Sequence, residues 1–117
     1  MAVHSILGSG FPEIIYQRAL EIEFKKQQLF NKREMIMDIF YDGTKIGTRR
    51  VDFFVENEIM VELKATSQLN DSHLAQAINY LEAYTLAIGL LINFGSRSLE
   101  FKRIYNTKHV DNINYQK

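Results

Sequence analysis

The stretch that most restricts the fold is the run from Ala87 to Phe94, in which Asn93 is the only polar side chain. A short run of this composition predicts a β-strand that is buried on both faces of its sheet. Together with the helical and strand patterns around it, the run predicts an α/β fold in which a mixed central sheet is flanked by helices.

The elements along the chain are predicted in the order αβββαβ, followed by one more strand. Asp42-Gly43 is a strong hairpin signal, so the three strands before the second helix form an antiparallel meander. Residues 106–117 are polar and are predicted to be a loose tail of a single domain, 1–117. The approximate bounds are 13–28 (helix), 29–41, 45–55 and 59–65 (strands), 70–85 (helix), 87–94 and 99–105 (strands).

The first predicted helix carries an apolar stripe at helical spacing. Ile15, Ala19 and Ile22 form this stripe, and Tyr16 and Leu20 widen it. A stripe of this kind faces the core in most globular proteins, so we expect these side chains to be packed against the sheet.

The composition excludes several classes of protein. The chain has no cysteine, which excludes disulfide scaffolds, thiolate zinc sites, iron–sulfur clusters and cysteine nucleophiles. Fourteen Lys and Arg residues balance fourteen Asp and Glu residues, which argues against a strongly basic nucleic-acid-coating arm. No apolar run approaches the roughly 20 residues that span a bilayer, and no signal-peptide pattern is visible, so we expect a cytoplasmic protein without membrane contact.

A pair of acidic residues lies on two neighbouring predicted strands. If residues 56–58 form a three-residue hairpin loop, Asp52 falls directly opposite Glu62. Side chains alternate along a strand, so Lys64 lies on the same face as the two acids. A two-residue loop would change the parity and remove this alignment, so the prediction depends on the register.

Two like charges placed opposite each other in a sheet need compensation. At about 5 Å and an effective dielectric constant of about 20, the repulsion is on the order of 3 kcal/mol. Water can screen the pair, one acid can stay protonated, or a cation such as Mg²⁺ can bind between Asp52 and Glu62. An ordinary exposed polar face, with Lys64 neutralising one acid, explains the same pattern without any site.

The spacing of these residues resembles a known signature. Asp52 followed by Glu62-Leu63-Lys64 resembles the D…ExK motif of the PD-(D/E)XK nuclease superfamily, and the αβββαβ order resembles its core. The segment from Gly10 to Tyr16 also resembles the G-x-x-E-x-x-Y signature of the GxxExxY family. The resemblance covers about residues 3–105.

The resemblance implies a divalent metal site and its catalytic residues. Acids at the positions of Asp52 and Glu62 would bind Mg²⁺ or Mn²⁺, together with the backbone carbonyl of Leu63. Glu13 would complete this metal site as a third acid, although a carboxylate in the first turn of a helix also suits the helix dipole without any site. The resemblance makes Lys64 a catalytic residue that orients water or stabilises the transition state.

Three further residues are candidates on the second helix and the second strand. The resemblance implies an auxiliary catalytic role for Gln76, and Tyr80 lies one helical turn further on, so both could reach a substrate. In a regular strand Arg50 shares the face of Asp52, which would let it contact a phosphate.

These observations predict Mg²⁺-dependent phosphodiester hydrolysis, most simply by a nuclease acting on DNA. RNA or a nucleotide stays open as the substrate. Specificity would come from a homodimer or a partner protein, because the chain holds little beyond the core motif. The alternative is a catalytically silent module that keeps the fold and binds nucleic acid or protein.

Overall fold

A computed structural model describes residues 2–106 and shows a five-stranded mixed sheet with helices on both faces. The predicted α/β architecture is therefore confirmed. The sheet order follows the chain, β1-β2-β3-β4-β5, with β3 and β4 parallel and the other neighbours antiparallel. The elements are α1 (Ala2–Leu7), α2 (Glu13–Lys26), β1 (Asn31–Tyr41), β2 (Thr44–Val55), β3 (Ile59–Lys64), α3 (Asp71–Ala83), β4 (Ile88–Asn93) and β5 (Glu100–Tyr105).

The predicted meander and its register are confirmed. Asp42 and Gly43 both have positive φ, 51° and 78°, as the tight turn between β1 and β2 requires. In the β2–β3 pair, Val55 lies opposite Ile59 and Phe53 lies opposite Val61, which is the register that a three-residue loop gives.

The interior strand β4 is buried on both faces, as predicted. Its consecutive residues Leu91 and Ile92 point to opposite sides of the sheet and expose 0% and 3% of their surface. On one side, α1 and α2 pack on the sheet around Phe53, and on the other side α3 packs around Met60. The sheet is therefore the middle layer of three.

The face that α2 buries overlaps the predicted stripe only in part. Ile15 and Ile22 are exposed, whereas Tyr16, Gln17 and Leu20 are buried. The helix turns its Tyr16 side to the core, where the fully buried ring of Tyr16 stacks on Phe94.

The N-terminal helix α1 was not predicted. Six residues are too few for a helical periodicity to be recognised, and α1 is held by tertiary contacts rather than by its own propensity. Val3 is buried in the core beside α2, and His4 forms a hydrogen bond through Nε2 with the carbonyl oxygen of Ser96 at 3.0 Å.

The predicted start of the loose tail is also revised. Asn106, placed at the start of the loose tail, is 1% exposed, and its backbone N–H donates to the carbonyl of Ala87 at 3.0 Å. Its side-chain amide donates to the carbonyl of Leu81 at 3.1 Å, so it belongs to the folded core. The rest of the predicted tail, 107–117, lies outside the described residues.

The G-x-x-E-x-x-Y segment has a clear structural role. Gly10 has φ of 114°, a value that side chains rarely tolerate. Tyr16 is fully buried, stacks on Phe94 at 4.8 Å between ring centroids, and donates its hydroxyl hydrogen to the carbonyl of Gly8 at 2.7 Å. Tyr16 thereby fixes the loop that leads into α2 and sets where Glu13 begins the helix.

Gly95 is required by a close approach of two chain segments. A Cβ atom at this position would overlap the backbone of Ala65 and Thr66, which directly follow β3. We expect Gly95→Ala to lower the free energy of unfolding by about 3 kcal/mol, since neither backbone can move without disturbing its strand. Gly47→Ala is the control, because a Cβ there meets no atom within 4 Å. Urea denaturation of both variants measures the difference, and equal stabilities would contradict the prediction.

Candidate functional site

Asp52 and Glu62 lie where the β2–β3 ladder ends. The last paired residues are Phe53 and Val61, and the next residue on each strand is an acid. The Oδ2 atom of Asp52 accepts a hydrogen bond from the N–H of Leu63 at 2.9 Å. The Oε1 atom of Glu62 accepts from the N–H of Asp52 at 3.4 Å. Each carboxylate therefore takes a backbone donor on the opposite strand, which holds the two acids beside each other.

The site lies next to an irregularity in the sheet. Glu34 would be the β1 partner of Asp52, but this pair is missing from the ladder, and Glu34 has a positive φ of 54°. The alternation of faces along β2 changes here. Val51 packs on the α3 side and Phe53 on the α2 side, although alternation predicts a shared face for them. Val51 and Phe53 therefore lie on opposite sides of the sheet.

Glu62 is a buried acid with little compensating charge. It is 3% exposed, and burial, reinforced by the negative charge of Asp52, raises its pKa from 4.5 to about 8. The positive charges of Arg49 and Lys64 oppose this shift without cancelling it. A pKa near 8 means that the site, in the absence of a cation, holds a proton on Glu62 over most of the physiological range.

Arg49 is the arginine that reaches the acids, and the sequence did not single it out. Its Nη2 atom lies 3.7 Å from Oε2 of Glu62, and its guanidinium lies 4.8 Å from the ring centroid of Tyr80. Arg50 pairs with Glu34 at 3.6 Å instead and is more exposed. Regular alternation of side chains along β2 places Arg50 on the face of Asp52. The only sequence feature that could have suggested Arg49 is that it stands next to Arg50.

Gln17 is a second residue of the site that the sequence did not single out. It is 5% exposed on α2, and its Nε2 atom donates a hydrogen bond to Oδ1 of Asp52 at 2.9 Å. The signal that could have found it is its spacing, because residues 13 and 17 are one helical turn apart and share a face. The predicted isoleucine stripe assigned the sheet-facing side of α2 to other residues.

Glu13 and Lys64 stand at the edge of the acid pair. Glu13 is exposed at the start of α2, and loss of hydration is the main cause that raises its pKa. Lys64 lowers that pKa and Asp52 raises it, which shows that the three charges are close enough to interact. The structure therefore brings both predicted residues toward Asp52 and Glu62.

The two candidates on α3 are placed differently. Tyr80 lies beside the site, since its ring centroid is 4.8 Å from the guanidinium of Arg49. Burial raises the pKa of its hydroxyl, Arg49 lowers it and Glu62 raises it further. Gln76 is exposed one helical turn before Tyr80. The structure thus brings Tyr80 to the acid pair and leaves Gln76 at the surface of the same helix.

The donor set is suited to a hydrated divalent cation rather than to a fully enclosed one. Within residues 2–106, no group of three or more acidic, histidine or cysteine side chains is arranged to hold a metal ion. Mg²⁺ commonly uses only one or two carboxylates and keeps several waters. The buried, weakly compensated charge of Asp52 and Glu62 fits that mode of binding.

The chain belongs to the PD-(D/E)XK nuclease superfamily, whose sequence profile matches residues 1–104. The superfamily is named for nucleases, and PD-(D/E)XK nucleases typically use divalent metals. The narrower GxxExxY resemblance stays a prediction that rests on the motif from Gly10 to Tyr16.

One solved structure supports the fold independently. The crystal structure of SSO0001 superposes with a TM-score of 0.61 at 21% sequence identity, covering 78% of this chain and 48% of that one. The chain therefore spans about half the length of SSO0001. No curated protein sequence matches the chain significantly. None of the helices within residues 2–106 is long and apolar enough to cross a membrane.

Proposed function

We propose that the protein is a Mg²⁺- or Mn²⁺-dependent nuclease that hydrolyses phosphodiester bonds in DNA. The observation that carries the proposal is the Asp52–Glu62 pair, held side by side at the end of a ladder with Glu62 buried and only partly compensated by Arg49. A structural sheet face would leave such acids in water, where their mutual repulsion is screened.

Asp52 and Glu62 would hold the cation, with the backbone carbonyl of Leu63 and the carboxylate of Glu13 as further oxygen donors. A bound divalent cation supplies a nucleophilic water at neutral pH and offsets charge on the phosphate.

Lys64 would donate a hydrogen bond to the attacking water or to a phosphate oxygen, because this partly buried lysine interacts with the charges of the site. Arg49 would bind a phosphate oxygen through its planar guanidinium, which Tyr80 holds in place by stacking. Gln76, exposed on the same helix, would contact the nucleic acid. We assign the phosphate contact to Arg49 in preference to Arg50, since Arg49 lies beside the acid pair whereas Arg50 lies beside Glu34.

Cation binding is the first test of this proposal. We expect Mg²⁺ or Mn²⁺ at millimolar concentration to raise the melting temperature, because a ligand that binds only the folded state stabilises it; at 100 times the dissociation constant the gain is about 2.7 kcal/mol. Asp52→Asn should abolish the shift, whereas Asp38→Asn, on the exposed outer strand, should keep it. A wild-type protein that melts at the same temperature with and without either cation would contradict the proposal.

The substrate is tested by cleavage of labelled duplex DNA, single-stranded DNA and RNA of the same sequence. We expect cation-dependent cleavage of DNA that stops with a chelator. Cation binding without cleavage of any substrate would instead favour a silent binding module, and cleavage of RNA alone would reassign the substrate.

A further inference from the structure

The carboxylate of Asp52 is held from two directions. Its Oδ1 atom accepts a hydrogen bond from Nε2 of Gln17 at 2.9 Å, and its Oδ2 atom accepts from the N–H of Leu63 at 2.9 Å. One donor belongs to α2 and the other to β3. The two bonds fix the plane of the carboxylate, which a single donor would leave free to rotate.

The other half of the Gln17 amide has no partner. Its Oε1 atom is buried and accepts no hydrogen bond from any described residue. Gln17 as a whole is 95% buried, so bulk water does not supply a partner either. Turning the amide over would place Oε1 against Oδ1 of Asp52, two acceptors facing each other. Asp52 therefore fixes which way the amide points.

A glutamine in this position is costly if it serves only for packing. A buried acceptor without a partner costs about 1–3 kcal/mol, whereas an apolar side chain of similar length would fill the same space without that cost. The tolerated cost is explained if Oε1 has a partner whenever the site is occupied, and a water molecule beside Asp52 is the simplest donor.

We propose that Gln17 is a positioning residue for the metal site: its Nε2 atom orients Asp52 for cation binding, and its Oε1 atom accepts a hydrogen bond from a water molecule of the occupied site. This inference rests on the proposed function. Groups that orient metal-binding carboxylates typically change metal affinity by about 10- to 100-fold when they are removed.

The test measures Mn²⁺ affinity directly, by electron paramagnetic resonance of the free ion, and the melting temperature of the same samples. We expect Gln17→Met, which keeps the length and removes both hydrogen-bonding atoms, to weaken Mn²⁺ binding by about 10- to 100-fold. Gln17→Asn keeps the amide but not its reach, and we expect weakened binding there also, which provides the test if the Met variant does not fold.

Asn106→Leu is the matched control. Asn106 is another buried side-chain amide, and the substitution removes its hydrogen bond to the carbonyl of Leu81 on α3, which involves none of the acids. We expect this control to lose stability and to keep the wild-type Mn²⁺ affinity. A Gln17→Met protein that loses stability with unchanged Mn²⁺ affinity would overturn the inference.

The two proposals fail in different ways. If Asp52→Asn abolishes Mn²⁺ binding while both Gln17 variants bind as the wild type does, only the role of Gln17 is overturned. If the wild-type protein itself has no Mn²⁺ affinity, the metal site and the role of Gln17 are overturned together.

Discussion

Lys64→Ala is expected to lower the rate of DNA cleavage by about 10²–10³-fold while leaving Mn²⁺ binding nearly intact. The side chain is partly exposed at the end of β3, so its truncation leaves no buried cavity. Its ammonium group is a cation next to the acid pair that can donate hydrogen bonds to a water or a phosphate oxygen. Single-turnover cleavage of a labelled duplex at saturating Mg²⁺ measures the effect.

Lys102→Ala is the matched control for a general loss of positive charge. Lys102 is exposed on the edge strand β5, opposite Leu91 of β4, and is separated from the acids by β4. We expect the control variant to cleave at close to the wild-type rate. Equal rates for wild type and Lys64→Ala would remove Lys64 from the mechanism, and equal losses in both variants would indicate a charge effect on DNA binding.

Glu62→Gln is expected to raise the free energy of unfolding at pH 9 in the absence of a cation, on the order of 3 kcal/mol. The wild-type fold must keep an anion buried beside Asp52 at that pH, and the amide removes that anion while preserving the shape of the side chain. Activity should be lost in the same variant. A charge that is kept for function at the expense of stability predicts this combination of a more stable fold and lost cleavage.

The pH dependence follows from the raised pKa of Glu62. In the unfolded chain the carboxyl titrates near 4.5, and in the folded protein it titrates near 8. Between these values the folded state keeps a proton that the unfolded state has lost, so stability falls as the pH rises through this window and levels off above about pH 8. Glu62→Gln lacks this linkage, and the difference between the two proteins should nearly vanish at pH 4.5.

Urea denaturation at pH 5 and pH 9 measures this difference, with Glu58→Gln as the control in the exposed β2–β3 loop. We expect Glu58→Gln to follow the wild-type pH profile. Added Mg²⁺ should raise the free energy of unfolding at pH 9 in the wild-type protein and not in Glu62→Gln. Parallel pH profiles for wild type and Glu62→Gln would show that Glu62 is hydrated and titrates normally, which would contradict the buried pair.

The acid pair could be predicted from the sequence because its geometry depends on local rules. The loop of three residues between β2 and β3 fixes the pairing register, and that register places Asp52 beside Glu62. The apolar run of β4 likewise requires cover on both faces. Neither inference needs knowledge of any distant part of the chain.

The surroundings of the pair could not be predicted in the same way. The irregularity at Glu34 changes the face on which the residues before Asp52 lie, so Arg49 rather than Arg50 meets Glu62. The rotation of α2 that buries Gln17 depends on how Tyr16 packs against Phe94, almost eighty residues later in the sequence. Helical periodicity alone favoured the isoleucine face.

By itself, the sequence determined the layered α/β fold, the strand register and the two neighbouring acids, since alternation, loop length and hydrophobic runs act over a few residues. Only the tertiary structure decided that Arg49 lies next to Glu62 and that Gln17 holds Asp52. It also decided that Glu62 is buried deeply enough to raise its pKa to about 8. Burial and charge interaction depend on side chains that come together from α2, β2, β3 and α3, and their distances are set by the packing of the whole domain.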